Sequence, residues 1–327
     1  MSETMSSVQS PTEVDSTLIF ARDVADGLAQ DPKRVPSRYL YDSLGSQLFD
    51  AICELPWYTI TRGERSLLAQ HRGAILSGLG ADPILIELGA GNGEKLTLLL
   101  QSPGFQPARM RVHLVDISRA ALSASSRILE ARAGVQVVTH ETTYQLGLRA
   151  ARAEMSGDGP VLVAFLGSNI GNLGAEEADQ FLRDIREGCR PGDQFLLGAD
   201  LIKPERDLLL AYDDPLGVTA AFNKNLLVRL NRELDADFDV DAFDHHVVWN
   251  ASASRVEAYL VSRIDQDVCV RDAGCCIRLT AGESIWTECS HKYEADGIVA
   301  MGTRAGFSLR QQWIEPDARF ALTLLEA

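Results

Sequence analysis

Hydrophobic positions change character along the chain, and each change marks a different kind of structure. From Thr17 to about Arg72, apolar residues such as Leu18, Ala21, Val24 and Leu28 recur at helical spacing, the stripe of an amphipathic helix. A loop with Pro36 follows. A helix is then expected around Gly45 to Glu54, with Leu48, Phe49 and Ile52 on one face and Pro56 ending it, since proline cannot continue a helix. From Pro83 the texture switches to short continuous apolar runs separated by helical stretches. Pro83 to Leu88, Val112 to Val115, Val135 to Thr139, Val161 to Leu166 and Gln194 to Leu197 read as strands; Glu94 to Leu100, Ser118 to about Ala131 and Ala175 to Cys189 read as helices. Unbroken apolar strands suit a parallel sheet buried on both faces. The alternation predicts an α/β fold with a doubly wound, Rossmann-like sheet.

After Asp200 the pattern shifts again. Leu208 to Tyr212 and Thr219 to Leu234 read as helices, and Val247 to Asn250, Arg255 to Asp265 and Cys275 to Leu279 as partly alternating strands. This predicts a second, smaller α+β unit. Two strand-like runs between Phe307 and Glu326 are expected to return to the main sheet.

Composition narrows the function classes. The 327 residues are 46% hydrophobic, enough for a large core. A formal charge of −15, from 31 Lys+Arg against 46 Asp+Glu, disfavours nucleic acid and anionic membrane surfaces as partners. No apolar run approaches the roughly 20 residues that span a bilayer. Residues 1–16, rich in Ser, Thr and Glu, lack a basic-then-apolar leader pattern and are expected to form a disordered tail. The cysteines at 53, 189, 269, 275, 276 and 289 form no CxxC pair and no Cys/His ligand spacing, so no metal site is expected. The vicinal Cys275 and Cys276 are expected as thiols on opposite faces of a strand, and the whole pattern suits a reducing cytoplasm.

The chemistry gathers at strand ends, where such sheets bind ligands. Glu87-Leu88-Gly89-Ala90-Gly91-Asn92-Gly93 leaves a strand and opens a helix. Glycines there let a ligand approach the backbone. The third glycine is not at the position of a dinucleotide cradle, and an acid just before the turn would repel a pyrophosphate. The acid suits a cation instead, and S-adenosyl-L-methionine carries a sulfonium and an ammonium. Asp116, ending the next strand, can accept two ribose hydroxyls. Glu87, Gly89, Gly91, Lys95 and Asp116 are therefore the candidate cofactor contacts. Phe165-Leu166-Gly167-Ser168-Asn169-Ile170-Gly171-Asn172-Leu173 ends the fourth strand; Asn172 either holds a polar substrate or caps the helix opening at Ala175.

From about Pro36 to Leu325 the chain resembles the histidine-specific Nα-methyltransferases of ergothioneine biosynthesis. The resemblance rests on Tyr41-Asp42-Ser43-Leu44-Gly45-Ser46, Leu55-Pro56-Trp57-Tyr58 with Thr61-Arg62-Gly63-Glu64, and the Leu166 to Leu173 segment. It continues through Tyr212-Asp213-Asp214, Gly217 to Asn225, Asn231-Arg232-Glu233-Leu234 with Asp237-Phe238-Asp239, and Glu288-Cys289-Ser290-His291-Lys292-Tyr293. It implies that Asn172 and Tyr212 hold a substrate carboxylate, that Glu288 and Ser290 hydrogen-bond an imidazole, that Tyr58 lines the ring pocket, and that Phe222 and Gly167 border the amine. It implies a substrate domain of residues 17–62 and 203–292, and an S-adenosylmethionine-binding domain of 63–202 and 293–327, with the amino acid between them. The implied reaction is α-N-methylation of free L-histidine to its trimethylated betaine, hercynine, by a monomeric cytoplasmic enzyme. No catalytic side chain is needed beyond proximity and alignment.

Three features depart from that pattern. Thr59 and Ile60 stand where family members commonly carry Tyr and Pro, Ala258 stands where some carry Met, and no acidic–aromatic pair is evident in Thr139 to Tyr144. The first two imply a roomier ring pocket. They keep tryptophan or tyrosine open as substrates, beside the alternative of a non-catalytic S-adenosylmethionine-binding module.

Overall fold

The computed structural model describes residues 11–105, 107–155 and 159–327. In chain order its elements begin with α1 (Pro11–Leu28), β1 (Lys33–Arg34), α2 (Ser43–Cys53) and α3 (Thr59–Leu76). The βα alternation follows: β2 (Ile84–Leu88), α4 (Glu94–Leu100), β3 (Met110–Asp116), α5 (Arg119–Glu130), β4 (Val135–Glu141), α6 (Tyr144–Ala153), β5 (Val161–Phe165), α7 (Ala175–Gly188) and β6 (Gln194–Asp200). After it come α8 (Glu205–Tyr212), α9 (Val218–Glu233), β7 (Phe243–Asn250), β8 (Arg255–Ser262), β9 (Gln266–Val270), β10 (Cys275–Leu279) and β11 (Ser284–His291). The chain closes with α10 (Ala295–Arg304), β12 (Ser308–Glu315) and β13 (Phe320–Glu326).

Two compact units share these elements. One comprises the chain up to Ile52, Tyr212–Val248 and Glu257–Glu288; the other comprises Cys53–Ala211, Trp249–Val256 and Cys289–Ala327. The split is interleaved, and residues 53–62, 203–211, 249–256 and 289–292 group with the sheet-bearing unit. Of the expected N-terminal tail, residues 1–10 lie outside the described residues, and α1 already begins at Pro11.

The larger unit is built on a seven-stranded sheet of order β12-β13-β6-β5-β2-β3-β4. Strands β2 to β6 run parallel, and β13 enters antiparallel between β6 and β12. This is the doubly wound α/β sheet, with the two terminal strands returning to it. Strands β5 and β6 are buried at every position, which is why they read as unbroken apolar runs. Helix α7 lays Ala178, Phe181, Leu182 and Ile185 onto the core beside Phe165, Phe195 and Leu325. Each such side chain contributes about 1.5–3 kcal/mol on burial.

The other unit carries the pairings β1-β11-β8-β7 and a β9–β10 hairpin. The run read as one strand from Arg255 to Asp265 ends at Ser262, and β9 and β11 are additional strands. Cys276 pairs in register with Cys269, and the two form a disulfide. Cys275 points to the other face with a free thiol, so the opposite-face expectation holds while the second cysteine is not a thiol. No described helix is long and apolar enough to cross a membrane.

Candidate active site

The glycine turn begins where β2 ends. Gly89, Gly91 and Gly93 have φ of 83°, 50° and 75°, left-handed values that favour glycine. The three serve different ends. Gly89 N–H donates to the Val115 carbonyl at 2.8 Å, tying the turn to β3. A Cβ on Gly91 would meet nothing within 4 Å, so this backbone faces open space. A Cβ on Gly93 would lie 2.9 Å from Ser125 Cα, so the third glycine lets α4 pack against α5. Ser125 Oγ then donates to the Gly91 carbonyl at 2.8 Å.

Two acids flank this turn. Asp116 accepts from the N–H groups of Ser118 (2.8 Å) and Gly91 (3.3 Å). Burial raises its pKa, and these backbone donors oppose the rise. Glu87 is 2% exposed. Burial pushes its pKa up to about 8; Lys95 opposes the shift, while Glu64 and Asp116 add to it. Among the described residues its Oε2 is buried without a hydrogen-bond partner, and such an atom is costly unless a ligand satisfies it. An orphaned buried carboxylate beside exposed backbone fits a cationic ligand such as S-adenosylmethionine.

Sequence reasoning missed the residue that organises the next loop. Glu64, on α3 and fully buried, accepts the Gly167 N–H with both carboxylate oxygens (2.8 and 3.0 Å) and pairs with Lys95 Nζ at 2.7 Å. A Cβ on Gly167 would sit 2.7 Å from Lys95 Nζ, and one on Gly198 would sit 2.2 Å from Glu64 Oε1. Lys95, expected as a cofactor contact, thus lies among the acids of the turn, bonded to Glu64. Tyr144, which opens α6 after β4, also borders this turn. Its hydroxyl lies 3.5 Å from where a Gly89 Cβ would be, and its ring meets Phe165 edge-on at 5.1 Å. Burial, followed by the Asp116 charge, lifts its pKa to about 12.

Beyond β5, Ser168 takes φ 58° and a 3-10 turn spans Asn169–Asn172. Gly174, not Asn172, precedes α7, and its N–H is held by Glu177 at 2.8 Å. The capping alternative for Asn172 is therefore set aside, leaving its amide side chain half-buried beside this turn. Gly171 packs against the end of β11: a Cβ there would lie 2.7 Å from the His291 carbonyl and 3.3 Å from Ser290 Oγ. Ser290 is 4% exposed and accepts a hydrogen bond from buried Lys292 at 2.9 Å. Lys292 also pairs with Asp200 (3.0 Å), whose other oxygen takes Lys203 (2.7 Å). Tyr58, immediately before α3, is 6% exposed in this same unit.

The other unit holds Tyr212, Phe222 and Glu288. His245 Nε2–H donates to the Tyr212 carbonyl at 2.9 Å. Its Nδ1 then accepts from Asn223 Nδ2 at 2.9 Å, and that amide also donates to the Tyr259 carbonyl. These partners define a neutral imidazole, and burial lowers its pKa in agreement. Phe222 is buried with its ring 5.4 Å from Tyr41 and 5.9 Å from Phe49. Asp42 explains the Tyr41–Ser46 motif: it accepts from Gly45 N–H (2.7 Å), Asn225 (2.7 Å) and Arg232 (2.6 Å). Burial pushes its pKa up, but these donors outweigh it and hold the carboxyl below its ordinary range. Glu288 is half-buried on β11, and its carbonyl accepts from Trp286 Nε1 at 2.7 Å. Ala258 is buried on β8, and Ile60 is buried in the first turn of α3.

Away from these strand ends, His113, His140 and Glu154 come within 4.8 Å of one another. The two rings are near-parallel (12°) and join through Nδ1 of His113 and Nε2 of His140 at 2.9 Å. That is a hydrogen bond sharing one proton between two neutral rings.

Residues 20–327 match the family described as histidine-specific, SAM-dependent methyltransferases. A histidine N-alpha-methyltransferase of Mycolicibacterium smegmatis is 39% identical over 306 residues, covering 93% of each chain. Its namesake from Mycobacterium tuberculosis is 38% identical over 308 residues, covering 94% of each. An L-tryptophan methyltransferase of Psilocybe serbica is 25% identical over 347 residues, covering 97% of this chain and 96% of its own. Near-complete coverage at such identity, joined to a glycine turn with an orphaned acid, makes this chain an S-adenosylmethionine-dependent N-methyltransferase of the histidine-specific methyltransferase family.

Proposed function

We propose that the enzyme methylates the α-amino nitrogen of free L-histidine, three times in succession, to give the trimethylated betaine. The carrying observation is the near-full-length similarity to two enzymes named histidine N-alpha-methyltransferase. In this reading Asn172 and Tyr212 hold the carboxylate through neutral donors, without burying a second charge. Glu288 and Ser290 hydrogen-bond the imidazole, Tyr58 lines the ring, and Phe222 and Gly167 border the amine. Gly167, without a side chain, leaves room for a nitrogen that grows with each methyl group.

S-adenosylmethionine supplies an electrophilic methyl group on a leaving sulfonium. The residues of the chain then have binding and positioning to perform. Glu87 meets the cation, Asp116 takes ribose hydroxyls, and the Gly89–Gly91 backbone admits the ligand. The Glu64 contact fixes Gly167 and Lys95 around it. The substrate ammonium must shed its proton, to water or a nearby oxygen, before its lone pair can react. With so good a leaving group, alignment supplies the catalysis, a contribution of roughly 7–11 kcal/mol in favourable cases. We place the enzyme in the cytoplasm as a monomer.

Mass spectrometry after incubation with histidine and S-adenosylmethionine is expected to show +14, +28 and +42 Da species on the α-nitrogen, roughly one methyl mass per turnover. A protein that leaves histidine unchanged while methylating tryptophan or tyrosine would overturn the assignment. The buried Ala258, small where the resemblance implies a longer side chain, suits that second reading.

A further inference from the structure

Two histidines and a glutamate meet at the β4 edge of the seven-stranded sheet, away from the glycine turn. His113 on β3 pairs in register with Val138, and His140 on β4 with Val115. Paired residues of parallel strands share a face, and so do residues two apart on one strand. Both rings therefore stand on the face that α6 covers, where a Cβ on Gly147 would lie 2.2 Å from Val115 Cγ1. Helix α6 ends at Ala153, and Glu154, its C-cap, brings a carboxylate to the same place. One nitrogen from each ring and one oxygen of Glu154 all lie within 4.8 Å of one another. Ligand spacing along the chain does not announce this cluster: the histidines are 27 positions apart, and strand register brings them together.

We propose that His113, His140 and Glu154 bind a divalent late first-row metal ion of the zinc class, with water in the fourth position, clasping the edge strand β4 to β3 and to the end of α6. Imidazole nitrogens suit zinc, nickel and copper, whereas magnesium and calcium take oxygen ligands. Bonds of about 2.0–2.2 Å set the ligands of a tetrahedral zinc about 3.3 Å apart. The facing nitrogens, Nδ1 of His113 and Nε2 of His140, stand at 2.9 Å and need to open by about 0.4 Å. The Glu154 oxygen needs to close by about 1.5 Å, a freedom that its exposed side chain has. The proton now shared between the rings leaves the gap without leaving the protein: the donating ring carries it on its other nitrogen, and both rings stay neutral. Arg111 and Arg152 bring positive charge towards His113. Asp193 pairs with Arg152, and Glu154 sets a negative charge beside His140. The C-terminal end of α6 adds partial negative charge. The remaining nitrogen of His113, Nε2, is buried without a hydrogen-bond partner among the described residues. A metal-bound histidine is held tightest when that second nitrogen is bonded, so the site is a micromolar one rather than a nanomolar one. The proposal is independent of which amino acid the enzyme methylates.

The test is calorimetric titration of the full, tag-free, chelator-treated chain with zinc chloride, in wild type, Glu154→Gln and His140→Gln, each checked for folding by circular dichroism. Cobalt(II) is titrated alongside, since its absorption reports the donor atoms. One zinc per chain is expected, with a micromolar dissociation constant and no competition from magnesium. Glu154→Gln, an exposed change, should weaken binding by about tenfold or more, the loss that follows even from removing a ligand's hydrogen-bonding support. His140→Gln should abolish it. Cobalt should give visible bands without the near-ultraviolet sulfur band that the free thiols elsewhere in the chain would produce. Should His140→Gln not fold, Glu154→Gln and the cobalt spectrum decide alone. No stoichiometric uptake at micromolar zinc, binding of equal strength in either folded variant, or a thiolate spectrum overturns the site and leaves the histidines a plain hydrogen-bonded pair.

Discussion

Glu87 and Asp116 end neighbouring strands and meet the same problem, a carboxyl group taken from water, with different help. Asp116 receives two backbone N–H donors, whereas one oxygen of Glu87 has no partner among the described residues. At pH 7 the empty protein therefore keeps a proton on Glu87, whose pKa stands at about 8. Under the proposed placement of the cationic methyl donor against Glu87, its docking expels that proton. Calorimetric titration with S-adenosylmethionine at pH 7 is expected to give a binding enthalpy that differs between phosphate and Tris by the heat of moving close to one proton. Glu87→Gln should erase the difference and weaken binding roughly ten- to hundredfold. An enthalpy indifferent to buffer would show that Glu87 is already charged. At this scale the sequence disclosed Glu87, the glycines and Asp116, because they are contiguous with a strand that announces itself. It hid the role of Glu64. Glu64 finds Gly167 more than a hundred positions away, and nothing near either residue in the chain signals the partnership.

Among the elements, legibility followed burial. Strands β2, β5 and β6 are apolar on both faces and stand out; β11 escaped because Trp286, Glu288 and Ser290 share one face and interrupt any apolar run. Strand β9 was hidden because a turn after Ser262 is needed to separate it from β8, and Arg263-Ile264-Asp265 carries no glycine or proline to mark one. The turn between β2 and α4 makes the clearest demand at this scale. Gly93 is the position where left-handed backbone and close helix packing coincide. Gly93→Ala is expected to lower the thermal midpoint by about 2–8 °C, from about 1–2 kcal/mol of left-handed strain plus displacement of Ser125. An unchanged midpoint would mean that α4 and α5 can separate at no cost.

At the level of the whole molecule, acid and base act in opposite directions. The folded protein depresses the His113 pKa from 6.5 to about 4 by burial, reinforced by the neighbouring His140 and by the Arg111 and Arg152 charges. An unfolded chain takes that proton more readily, so this stabilisation is complete above pH 6.5 and is lost as pH falls toward 4. Glu87 works with the other sign. It is raised from 4.5 to about 8, so acidification between those values favours the folded, ligand-free protein. The thermal midpoint of wild type between pH 6.5 and 4 should consequently fall more steeply than that of a His113→Leu, His140→Leu variant. Parallel profiles would remove the histidine pair as the acid-sensitive element. Fold class and chain return were readable at this scale from alternation alone, while the grouping of distant segments into units depends on packing that alternation does not encode.

The position of β13 has a further consequence, for biosynthesis. This strand lies inside the sheet, between β6 and β12, yet it follows both β6 and β12 in the chain. Until the ribosome has released residues up to Glu326, one side of β6 offers a row of unpaired amides flanked by apolar side chains. Such an edge recruits other strands indiscriminately. The nascent protein must therefore either delay sheet closure until β13 has emerged or be shielded meanwhile, and its yield in a foreign host should depend more on chaperone supply and growth temperature than on the thermal midpoint of the finished enzyme.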